Sequence, residues 1–141
     1  MLKDQMKLVG KLSIAINNKV VQEIDNLVVT AGKNFVASRI KDATASAMSH
    51  MAIGTGSTSP AAGDTTLGTE TARVALTSTA VTNADVAYVS SFGAGTGTGA
   101  ITEAGLFNAS SAGTMLCRTT FSVVNKGADD SMTITWTVTV S

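Results

Sequence analysis

Met132-Thr-Ile-Thr-Trp-Thr-Val-Thr-Val140 alternates strictly, with Met132, Ile134, Trp136, Val138 and Val140 on one side and Thr133, Thr135, Thr137 and Thr139 on the other. A period of two matches an extended chain, whose successive side chains point to opposite faces, and is out of step with the 3.6-residue period of a helix. The stretch predicts a β-strand with one buried and one hydroxyl-bearing face, as in an antiparallel sheet.

Upstream, strand-like segments recur at intervals of about ten residues, a spacing typical of sandwiches and barrels. They are Thr71 to Ser78, Asp85 to Phe92, Ala100 to Asn108 and Thr114 to Val123. Ala109 to Gly113 and Asn125 to Asp130 read as compact turns between antiparallel neighbours, and Gly93 to Gly99 as a flexible link. Nearer the start, Leu12, Ile14 and Ile16 alternate, Asn17 and Asn18 supply a turn tolerant of positive φ, and Lys19 to Asp25 resumes, which predicts a hairpin.

Between Val29 and Lys41 the rhythm changes. Phe35, Val36, Arg39 and Ile40 fall at helical spacing, Lys33, Arg39 and Lys41 take the wetter side, and Thr30 offers an N-cap. Gly32 weakens this helix. Met51 to Gly54 reads as a brief strand running into a turn-rich loop with Gly54, Gly56 and Pro60 that ends near Leu67. The chain is thus expected to be all-β, with about eight strands in an antiparallel, jelly-roll-like sandwich and one short helix near residues 30–41. Residues 1–10 are expected to form an N-terminal arm, and residues 11–141 a single sandwich domain.

Composition narrows the function. The chain of 141 residues has ten Lys plus Arg and ten Asp plus Glu, with 14% charged against 44% hydrophobic residues, so there is no basic field to gather the phosphates of a nucleic acid. No uninterrupted apolar run fits a signal peptide or membrane span. Synthesis in the cytoplasm, no nucleic-acid partner and no membrane partner are therefore expected. Cys117 is the single cysteine, which excludes an internal disulfide; alternation groups it with Met115 and Phe121 as a small buried hydrophobe.

Neither catalytic residues nor a cofactor nor a metal is expected. His50, the one histidine, has no G-x-S-x-G elbow or nearby acid and reads as a strand-edge residue. Gly54-Thr-Gly56 and the glycines from Gly93 to Gly99 lack the lysine, or the third glycine and following helix, of phosphate-binding loops. Asp129 and Asp130 suit a turn, where carboxylates cap backbone amides. Glu103 stands apart: alternation places it with Ile101 and Phe107 on a face expected to be buried, where an unpaired carboxylate is costly. Arg73 and Arg118, each inside a strand-like run, are its candidate partners in a structural ion pair.

Three stretches carry a resemblance. They are Gly54-Thr-Gly-Ser-Thr-Ser-Pro60, then Asp64-Thr-Thr-Leu-Gly-Thr-Glu-Thr-Ala-Arg73, and later Glu103-Ala-Gly-Leu-Phe107. In that order, and closed by the Thr-rich strand, they resemble small structural proteins and fibre-anchoring domains of tailed bacteriophages, from about Met51 to the end. The resemblance implies a non-enzymatic virion module that attaches a tail or neck appendage or decorates and cements the capsid. Its partners would be other virion proteins and copies of itself, as a homo-oligomer. Met1, Leu2, Met6 and Leu8 of the arm are the candidate interface residues. Two other classes compete: a glycan-binding receptor-recognition module, for which Tyr88 would be the test residue, and a hydrolase built on His50.

Overall fold

The computed structural model describes residues 5–141. Nine strands and one helix follow in the order β1 (Leu8–Ile16), β2 (Lys19–Val28), α1 (Thr30–Lys41), β3 (His50–Gly54), β4 (Glu70–Ala75), β5 (Ser78–Thr82), β6 (Asp85–Phe92), β7 (Gly99–Phe107), β8 (Met115–Lys126) and β9 (Met132–Val140). The strands form one antiparallel sheet in the order β4-β3-β7-β8-β2-β1-β9-β6-β5. The fold is all-β and sandwich- or barrel-like, with a strongly curved sheet. The count is nine where about eight were expected, because Ser78 to Thr82 forms a strand of its own.

Two features impose the curvature. β2 pairs with β1 along Lys19 to Asn26, but only Leu27 and Val28 pair with β8, so the sheet turns a corner within one strand. At the other corner, the edge strands β4 and β5 are joined only by Leu76 and Thr77, a link that spans at most about 11 Å. Leu76 N–H donates to the Ser49 carbonyl beside β3, and Thr77 N–H to the Val89 carbonyl of β6, so the chain changes flank within one residue.

The apolar side of the alternating stretch lies inside this curve. Met132, Ile134 and Trp136 are fully buried, and they share one cluster with Leu12, Ile14 and Phe92 and with Met51, Ile53, Ile101, Ala104, Leu106 and Cys117 from the other half of the sheet. Trp136 Nε1 donates to Asn26 Oδ1 at 2.6 Å, which satisfies the one polar atom the indole brings inside. A second cluster of Val29, Ala52, Leu67, Phe107 and Met115 lies on the outer side of β3, β7 and β8, beneath the 55–69 loop.

α1 covers the bend beside β8. Gly32 makes this possible, because a Cβ there would lie 2.1 Å from the Leu116 carbonyl oxygen. The residue that weakens the helix is the one that lets it dock. Thr30 is the first helical residue and not its cap; Val29 holds the cap position without a side-chain bond, and Thr30 N–H donates to the Ala62 carbonyl of the loop. Phe35 and Val36 pack on the core, whereas Ile40 is exposed.

The boundary of the arm also moves. β1 begins at Leu8, and Lys7 exchanges two backbone bonds with Ser141, so residues 8–10 belong to the sheet. Of the candidate interface residues, Leu8 packs against the core and Met6 is 71% exposed. Met1 and Leu2 lie outside the described residues.

Candidate functional site

β7 does not keep a period of two. The register shift between Ile101 and Glu103 breaks the alternation at that point, so that Ile101, Ala104 and Leu106 all enter the main core. Glu103 and Phe107 face the 55–69 loop on the other side. The expectation that Ile101 shares a face with Glu103 and Phe107 is thereby corrected: Ile101 and Glu103 are two positions apart on β7 but pair with Val124 and Thr120, four apart on β8, and this irregularity puts them on opposite faces, whereas Glu103 to Phe107 alternate regularly. A second shift, between Leu106 and Phe107, leaves one extra residue on β8 and separates Cys117, in the main core, from Met115, in the second cluster.

Glu103 is completely buried, and its carboxylate is fully engaged. Oε1 accepts from Gly68 N–H at 2.8 Å and from Arg118 Nη2 at 2.9 Å; Oε2 accepts from Gly56 N–H and Thr69 N–H, both at 2.7 Å. Four donors fill the roughly four acceptor sites a carboxylate offers. Burial pushes the Glu103 carboxyl up, but the amides of Thr69 and Gly68, the Arg118 guanidinium and the Gly56 amide together hold it below the usual carboxylate range.

The glycines are shaped to this anion. A Cβ on Gly56 would lie 2.3 Å from Glu103 Oε2, and one on Gly54 would lie 2.2 Å from the Thr69 carbonyl oxygen. Gly54-Thr-Gly56 thus does what glycine-rich phosphate loops do, bringing backbone N–H to an anion, but the anion is the chain's own side chain.

Glu103 grips both ends of the loop, and Arg118 joins its middle to the sheet. It is 2% exposed; Nη1 donates to Asp64 Oδ2 at 2.9 Å and Nη2 also to the Thr58 carbonyl at 2.9 Å, while Nε has no protein partner. Asp64 Oδ2 accepts in addition from Ala61 N–H. Thr102 Oγ1 donates to the Gly56 carbonyl, and Leu67 fills the second cluster. A loop of irregular backbone is thus held on β7 and β8 by the Glu103 carboxylate, the Arg118 guanidinium, the Thr102 hydroxyl and the packing of Leu67.

Of the two arginines offered to Glu103, the structure brings Arg118 to it and takes Arg73 elsewhere. Arg73 forms a two-point pair with Glu70, at 3.0 and 2.7 Å, and its Nη1 donates to the carbonyls of Ala109 and Ala112. Its guanidinium lies 3.7 Å over the Phe107 ring. Arg73 therefore fastens the turn after β7 to β4.

His50 opens β3, an inner strand flanked by β4 and β7, so it does not lie on a sheet edge; its Nδ1 is 2.8 Å from Ser49 Oγ. Tyr88 is half-buried against the core. Asp130 caps Gly127 N–H and accepts from Asn17 Nδ2, the latter being the main reason its carboxyl is held low. Lys126 went unnoticed in the sequence: it is 2% exposed, and its Nζ donates to the carbonyls of Gly93 and Asp130, tying two turns together. Among the described residues, no group of three or more His, Cys, Asp or Glu is placed to hold a metal ion. Comparisons with protein-family models, with curated proteins and with solved structures found no match to this chain.

Proposed function

We propose that this chain is a structural protein of a tailed-bacteriophage virion, a non-enzymatic module that attaches a tail or neck appendage or decorates and cements the capsid. One observation carries the reading. The motif residues behind the resemblance, though spread from Gly54 to Phe107, meet in one unit in which the 55–69 loop is seated on β7 and β8. Gly54, Gly56, Asp64, Leu67, Glu70, Arg73, Glu103 and Phe107 are all used in holding that unit and its neighbouring turn in place. Polar groups committed to fixing shape suit a rigid building block.

The jelly-roll-like, two-layer form expected from the sequence is our reading of how the curved sheet closes on itself. It is supported by the main core cluster, which draws on both halves of the sheet. The outer face opposite that core, with Thr133, Thr135, Thr137 and Thr139 flanked by Lys11 and Glu23, is a broad surface of low charge, suited to packing against a neighbouring protein. The reading places the chain in the virion, after synthesis in the host cytoplasm, beside other virion proteins and copies of itself.

The test is fractionation. Particles purified from cells that produce the chain are probed with antiserum raised against it. The reading expects the chain in the particle fraction at a fixed ratio to the major coat protein; a chain confined to the soluble fraction would count against it.

A further inference from the structure

The two edges of the sheet are not alike. β4 is a guarded edge: it carries Glu70 and Arg73, its pairing with β3 is bulged at Ile53 and Gly54, and its arginine is anchored to the turn after β7. Charges and bulges of this kind keep an edge from accepting another strand. β5 has neither. Its sequence, Ser78-Thr-Ala-Val-Thr82, contains no charge and no proline, pairs with β6 in unbroken register, and is exposed at all five residues. Val81 is 72% exposed. In an antiparallel ladder alternate residues direct their N–H and C=O groups to opposite sides, so part of the β5 backbone faces away from β6, and no described residue pairs with it.

We propose that β5 is the contact strand of a symmetric dimer, pairing antiparallel with β5 of a second copy about a two-fold axis at Ala80. This contact rests on the reading of the chain as an assembly subunit and gives that subunit its partner. The occupant follows from the sequence of the edge, which is complementary to its own reverse. About that axis Ser78 faces Thr82 of the other copy, Thr79 faces Val81, and Ala80 faces Ala80. Every pair is small and uncharged, and the Ser78–Thr82 pairs bring hydroxyl to hydroxyl, a combination that cross-strand pairing favours. Val81, out of place in solvent, gains the Thr79 methyl as cover. Asp85, at the β5–β6 turn, accepts from Thr139 Oγ1 of β9 at 2.6 Å and is thus drawn away from the free edge. A two-fold contact is closed, so the edge is used up at two copies and does not propagate into a fibre.

The test is sedimentation equilibrium of the purified chain over a wide concentration range. Wild type is expected to show a monomer–dimer equilibrium. Val81→Lys, at an exposed site that leaves the core untouched, is expected to weaken association by about tenfold or more by placing like charges beside the axis. Adding Thr79→Glu to Val81→Lys sets opposite charges across from each other in this register and is expected to restore association. A monomeric wild type at every concentration, or a dimer indifferent to Val81→Lys, would overturn the pairing. Either result would leave the assembly reading to be judged by whether the chain fractionates with particles. A double variant no better than Val81→Lys would overturn the register.

Discussion

Arg118 Nη2 lies 2.9 Å from Glu103 Oε1, with both side chains removed from solvent beneath the 55–69 loop. Removing one partner of such a pair strands the other, which costs more than the pair itself contributes. Glu103→Gln keeps the shape but replaces one accepting oxygen with an NH2 group that turns a donor toward N–H donors, and it is expected to lower unfolding stability by about 3–5 kcal/mol. Urea titration checks this; a loss within about 0.5 kcal/mol, typical of surface sites, would show that the loop is held by other means.

The same carboxylate sets a pH dependence. Its folded-state pKa is depressed, so between that value and the unfolded value of about 4.3 the unfolded chain binds the proton more readily. The stability contributed by Glu103 is therefore present above about pH 4.3 and lost as pH falls through the folded value. Asp42 and Asp130 are also held low, chiefly by Lys41 and Asn17, and act in wild type and variant alike. The gap in stability between wild type and Glu103→Gln is expected to narrow below that pH; a gap unchanged by acid would contradict the assignment.

Gly32→Ala separates propensity from packing. Alanine would favour the helix by about 1 kcal/mol, but its methyl would meet the Leu116 backbone carbonyl, which has no rotamer to escape into. A net destabilisation of about 1–2 kcal/mol is expected, read from the shift in thermal midpoint. A stabilised variant would mean that α1 does not dock where it is described.

Cys117 is buried among apolar side chains, and burial pushes its thiol well above the ordinary range. A thiol held protonated and inaccessible is inert. Labelling with an aromatic disulfide reagent at neutral pH is expected to follow the rate of global unfolding; prompt labelling of folded protein would contradict the core assignment.

The arm gives a prediction tied to assembly. Lys7 is bonded to Ser141 and Leu8 starts β1, so a deletion that leaves the fold intact must stop before Lys7. Removing residues 1–5 is expected to leave thermal unfolding unchanged and to lower incorporation into particles. Unchanged incorporation would remove the arm from the assembly contact.

How far the sequence could be read depended on where each signal lies. β9 was legible because its alternation is local and unbroken, and the helix over residues 30–41 because its period departs from that of its surroundings. β5 was not, since Ser78 to Thr82 is exposed on every side and carries no burial pattern to read. The need of Glu103 for a partner was legible from its place in an apolar strand. The three loop amides that also bind it were not, because they lie 34 to 47 residues away and backbone N–H groups leave no mark in a sequence. The face assignment along β7 failed at the shift between Ile101 and Glu103, where irregular pairing with β8 turns Ile101 to the opposite face from Glu103 and Phe107. Lys126 looked like any turn-flanking lysine, and only the folded turns supply the carbonyls that bury it.

A reconstruction of purified particles tests the assembly reading most directly. It is expected to contain, at symmetry-related positions, density for the curved nine-stranded sheet with the 55–69 loop seated on it and protein neighbours packed around it. Well-resolved particles from cells producing the chain, with no density that accommodates this fold, would contradict the reading.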